Sequence, residues 1–75
     1  MAESVLVYVD QADFERVSPA LKELGATEVR PPSKGEPAVA FVDGDPEAAA
    51  KRFQEVDGVE RAEWNRWRFT QDSLA

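Results

Sequence analysis

Few residues of this 75-residue sequence are of a kind that can do covalent chemistry. Serines stand at Ser4, Ser18, Ser33 and Ser73, but a serine becomes a nucleophile only beside a base, and the chain has no histidine. Cysteine is absent too, which removes thiolate chemistry and any disulfide framework. Asp10, Asp13, Asp43, Asp45 and Asp57 could pair for acid–base work or hold a cation. Their spacing matches no EF-hand loop, and most fall where turns and helix caps use aspartate. The glycines are scattered singly, so no loop is ready to cradle a phosphate. The residue types point away from an enzyme and imply no metal and no cofactor.

What remains is the chemistry of contact, carried by the aromatic residues. Tyr8 is either a binding residue or an ordinary sheet aromatic whose hydroxyl reaches water. Phe41 lies on the same face unless a bend turns it into the core. Trp67 reads as core, because a small domain spends its large residues there, whereas Trp64 serves equally well as core or as an interface anchor.

Charge narrows the partner. Nine basic against 15 acidic residues give a net charge of −6, which opposes approach to phosphate polymers and suits solubility. No apolar run approaches the ~20 residues that cross a bilayer, and the N-terminus lacks the basic flank and cleavage site of a signal peptide. A cytoplasmic protein without a membrane partner is the expectation. At this length residues 1–75 form a single domain with room for one small core.

The elements that must position these side chains can be read in order. SVLVYVD, residues 4–10, is a β-branched strand with Val5, Val7 and Val9 facing one way and Leu6 and Tyr8 the other. Phe14, Val17, Leu21 and Leu24 follow at helical spacing, closed by Gly25. Pro19 interrupts that stripe, which predicts a kink or a helix starting near Ser18. ATEVR reads as an edge strand with Val29 inward, and PPSKGE as a loop.

PAVAFVDGDPEAAAKRFQEVDGV, residues 37–59, is the clearest stretch: a strand over Ala38–Val42, then Asp45 as helix N-cap and Pro46 at the first helical position. Ala49, Phe53 and Val56 form a stripe that Gly58 is expected to cap. The last strand is expected in ERAEWNRWRFTQ, its start left open, with Trp67 and Phe69 sharing a face and Trp64 just before an Asn65-Arg66 turn candidate. The element order β-α-β-β-α-β predicts an α+β fold of ferredoxin-like type. In it a four-stranded antiparallel sheet carries two helices on one face and leaves the other open.

On these residues the chain resembles an RNA recognition motif. AFVDGDPEAAAKRFQEVDG is similar to that family's third strand and second helix, VYVDQ to its shorter signature, VSPALKELG to its first helix and WRF to its fourth strand. The resemblance implies that Tyr8 and Phe41 are neighbours on the open face, able to stack single-stranded RNA bases. The longer signature is degenerate: over Pro37–Gly44 its basic residue is replaced by Pro37, its glycine by Ala38, its first aromatic by Val39 and its last by Gly44, so that only Phe41 survives. Base stacking is worth about 1–3 kcal/mol per base, so the loss of one platform and the basic clamp implies weak RNA affinity.

The expected function is that of a small non-catalytic binding module. Its open face is built from Leu6, Tyr8, Val39 and Phe41 and flanked by Arg66 and Arg68, with Lys34 and Arg30 nearby. A protein partner or a second copy fits an apolar face on an acidic domain. Single-stranded RNA bound through Tyr8 and Phe41 is the alternative.

Overall fold

A computed structural model describes residues 3–65. The chain runs β1 (Glu3–Val9), α1 (Gln11–Glu23), β2 (Ala26–Arg30), β3 (Ala38–Val42), α2 (Pro46–Gln54) and β4 (Val59–Trp64). The strands form one antiparallel sheet in the order β2-β3-β1-β4, an α+β arrangement with β1 and β3 in the middle.

The core is made where helix stripes meet alternate strand residues. Val5, Val7 and Val9 of β1 and Ala38, Ala40 and Val42 of β3 lie on one sheet face. They join Val17 and Leu21 of α1 and Ala49, Ala50 and Phe53 of α2 in a single buried cluster. Alanines on β3 and α2 let a helix approach the sheet closely, and the fully buried Phe53, Leu21, Val5, Val7 and Val17 fill the remaining space. Both helices therefore cover the same side.

α2 begins as its sequence requires. Oδ1 of Asp45 accepts the Glu47 N–H at 3.0 Å, the Asp45 carbonyl accepts from Ala49, and Pro46 occupies the first turn, where no donor is needed.

Three local expectations are revised. Of the two outcomes expected at Pro19, a helix starting near Ser18 is excluded, because α1 runs from Gln11 to Glu23 with Pro19 inside it. Pro19 and Glu15 both lie on the exposed side, so water can satisfy the Glu15 carbonyl that proline leaves without a donor. The buried Val17 and Leu21 hold the helix on its other side.

Gly58 does not cap α2, which ends at Gln54 with Glu55 as C-cap. With φ of 104° it turns the chain into β4, where a Cβ would stand 3.0 Å from Val17 Cγ2 and 3.1 Å from Arg16 Nη2. Beside this turn Arg16 bridges Asp13 of its own helix and Asp57, at 3.2 and 3.1 Å. Those two carboxylates, Asp13 first, push the Arg16 guanidinium above its ordinary pKa. Gly25, with φ of 114°, does follow the C-cap of α1 as expected.

The last strand, whose start the sequence leaves open, begins at Val59 and takes in Trp64 as a strand residue opposite Val5, where a residue just before a turn was expected. Trp67 and Phe69 lie outside the described residues.

Two irregularities adjust the edge strands. Between β2 and β3 the register shifts between Ala26 and Glu28, leaving Thr27 as an extra residue whose hydroxyl donates to the Phe41 carbonyl at 3.2 Å. Between β4 and β1 the partners pass from Tyr8↔Arg61 to Val9↔Val59, leaving Glu60 extra. Each bulge lets two apolar residues three positions apart, Ala26 with Val29 and Val59 with Ala62, pack on the helix side.

Candidate functional site

The face of the sheet away from the helices is assembled from the residues that alternate with the core. β1 presents Ser4, Leu6 and Tyr8, and β3 presents Val39 and Phe41; all except Ser4 are half-buried. The edge strands add Glu28 and Arg30 from β2 and Arg61 and Glu63 from β4. Ser4 is buried, its hydroxyl accepting from Asn65 Nδ2 at 3.3 Å while the Asn65 N–H donates to the Ser4 carbonyl.

Register orders these side chains into rows across the sheet. One row reads Arg30, Val39, Leu6, Glu63; the next reads Glu28, Phe41, Ser4, Asn65. Tyr8 lies beyond the first row, opposite Arg61. Leu6, Tyr8, Val39 and Phe41 thus share one face on adjacent strands, as their alternation predicts.

Tyr8 and Phe41 are nevertheless not neighbours. The partner of Phe41 on β1 is Ser4, and four steps of ~3.3 Å lead from Ser4 to Tyr8, placing the two aromatic residues about 13 Å apart along the strand with Leu6 and Val39 between them.

Each ring carries an arginine instead. The Arg30 guanidinium lies 5.1 Å from the Phe41 ring centre and that of Arg61 4.3 Å from the Tyr8 ring centre, both within cation–π range. Acidic neighbours hold these cations: Arg30 Nε donates to Glu28 at 2.9 Å, and Arg61 is 3.8 Å from the Glu63 oxygen that accepts the Tyr8 hydroxyl at 3.2 Å. The Tyr8 hydroxyl first and the Glu63 carboxylate next raise the Arg61 pKa, so its charge persists at every ordinary pH. The result is an apolar middle between two rims that each bear one arginine and one glutamate.

Arg66 and Arg68, expected to flank this face, lie outside the described residues. Arg61 occupies such a flanking position. With the start of the last strand left open, the sequence reading assigns Arg61 no face, although the alternation of VERAEW, with Ala62 inward and Arg61 and Glu63 outward, carries the signal. Trp64 belongs to the opposite side, where it lines a cleft of about 340 Å³ with Ala50 and Ala62.

Among the described residues no group of three or more aspartates and glutamates is placed to hold a metal ion, and no helix is long and apolar enough to cross a membrane. The chain matches no family model, no curated protein and no solved structure.

Proposed function

We propose that this chain is a small non-catalytic binding module of ferredoxin-like, RRM-like type, acting in the cytoplasm and using its open sheet face to bind a protein surface, either a partner's or that of a second copy. The observation that carries the reading is the composition of that face: half-buried Leu6, Val39, Phe41 and Tyr8 form its middle, and both signs of charge line its rims. An apolar centre that no described element covers, within a charged border, resembles a protein–protein contact more than a polyanion track. The net charge of −6 supports the same choice. The absence of histidine and cysteine from the sequence supports a role without catalysis.

Single-stranded RNA is less well served. Bases stack on open rings, whereas an arginine already lies over both Tyr8 and Phe41, and the separation of the two rings breaks the continuity of a stacked pair. A fluorescence titration with short labelled single-stranded RNA at low and moderate salt tests the choice. The expected result is a flat titration, together with an associated species in light scattering that Tyr8→Ala and Phe41→Ala both weaken without unfolding the domain. Saturable RNA binding that falls with salt and disappears in the same two variants would overturn it.

A further inference from the structure

We infer that the surface seated on the open face is the open face of a second copy, the two sheets stacked about a two-fold axis parallel to the strands and passing between β1 and β3. This inference rests on the reading of that face as a protein-binding surface and names its occupant. The argument is one of self-complementarity. The row Arg30–Val39–Leu6–Glu63 runs positive, apolar, apolar, negative across the sheet. Rotation about that axis reverses the order of the strands and sets Arg30 over Glu63 of the second copy and Val39 over Leu6 of the second copy, each twice.

The neighbouring row obeys the same operation. Glu28–Phe41–Ser4–Asn65 folds over so that the large Phe41 ring, once Arg30 has left it for Glu63 of the second copy, meets the small, sunken Ser4, and the Glu28 carboxylate meets the Asn65 carboxamide, a donor. Two rows, one matched by charge and one by size, therefore accept one symmetry operation. A two-fold axis perpendicular to the strands and crossing that first row would instead lay Arg30 on Arg30 and Glu63 on Glu63.

In the single copy the charged groups lean apart along the strands, Arg30 toward Glu28 and Phe41 and Glu63 toward Tyr8 and Arg61, so pairing across the two copies requires both to swing back toward their own row. Arg30 meets Glu28 through Nε, and Glu63 meets Tyr8 and Arg61 through Oε1, so the contact uses the Arg30 terminal nitrogens and Glu63 Oε2. Both side chains are well exposed, at 65% for Arg30 and 42% for Glu63. Strands at ~4.8 Å spacing put Arg30 and Glu63 about 7 Å from the axis, so the ~30° rotation usual between packed sheets displaces them by about 4 Å, within the span of an arginine. Four strands about 20 Å long give a face of roughly 400 Å², below the ~800 Å² per partner of a stable complex, so association is expected in the micromolar range or weaker.

Sedimentation equilibrium from about 10 μM to 1 mM, with circular dichroism to verify folding, tests the arrangement. The wild type is expected to dimerise; Arg30→Glu and Glu63→Arg, each placing like charges together twice, should each raise the dissociation constant at least tenfold. An equimolar mixture of the two single variants should associate as a heterodimer within about threefold of the wild type. The double variant Arg30→Glu/Glu63→Arg should pair with itself and not with the wild type, which keeps the test decisive if one single variant fails to fold. Wild type that is monomeric to 1 mM would overturn the second copy as occupant. Association abolished by Leu6→Glu but not recovered in the mixture would overturn the two-fold pairing while leaving the face as the binding surface. Association that survives Leu6→Glu would overturn both.

Discussion

The helix side and the open side of the sheet are made from alternate residues of the same strands, yet one is continuous hydrocarbon and the other a narrow apolar band within charges. On the helix side Val5, Val7, Ala38 and Ala40 are wholly buried and packed by Phe53, Leu21 and Val17. On the open side the side chains between them, Leu6, Tyr8, Val39 and Phe41, remain half-exposed, and Glu28, Arg30, Arg61 and Glu63 line the edges. The difference separates two tasks. Folding depends on the first side, where lost contacts leave cavities, and recognition falls to the second, where side chains can change without emptying the core.

That separation is open to attack by substitution. The largest effect is expected from Phe53→Ala, which empties the middle of the helix side and should destabilise the domain by about 3–5 kcal/mol in urea unfolding. A loss as small as that of an open-face variant would erase the contrast between the two sides. Gly58→Ala comes next, at about 2 kcal/mol, since a positive φ and the contact with Val17 both oppose a side chain. If Gly58→Ala proves neutral, the turn into β4 is not held as tightly as its geometry indicates. Asp45→Ala removes the side-chain cap of α2 and should lower stability by about 1 kcal/mol, visible as a drop of several degrees in melting temperature. Tyr8→Phe deletes only the hydroxyl that reaches Glu63 and should cost less than about 1 kcal/mol. A larger loss would mean that the open face contributes to folding as well as to binding.

Much of this architecture was legible locally. The bounds of β2 and β3 and the start of α2 follow from β-branched runs, Asp45 and Pro46, signals carried by a few adjacent residues. The α1 stripe was legible too, but the choice that Pro19 left open, a kinked helix or one starting near Ser18, was not, because whether a proline breaks a helix depends on which side of it meets water. In β4 the bulge at Glu60 concealed the inward pairing of Val59 with Ala62 and, with it, the outward place of Arg61.

The sequence by itself determined which residues of each strand turn inward, because alternation has a period of two and needs no knowledge of the neighbouring strand. Only the tertiary structure decided which residues stand opposite one another. Sliding β1 by two positions would keep every valine in the core and every open-face residue outside, so the hydrophobic pattern is blind to that choice. Pairing, turns and bulges make it instead, and they set Phe41 against Ser4, Leu6 against Val39 and Tyr8 against Arg61.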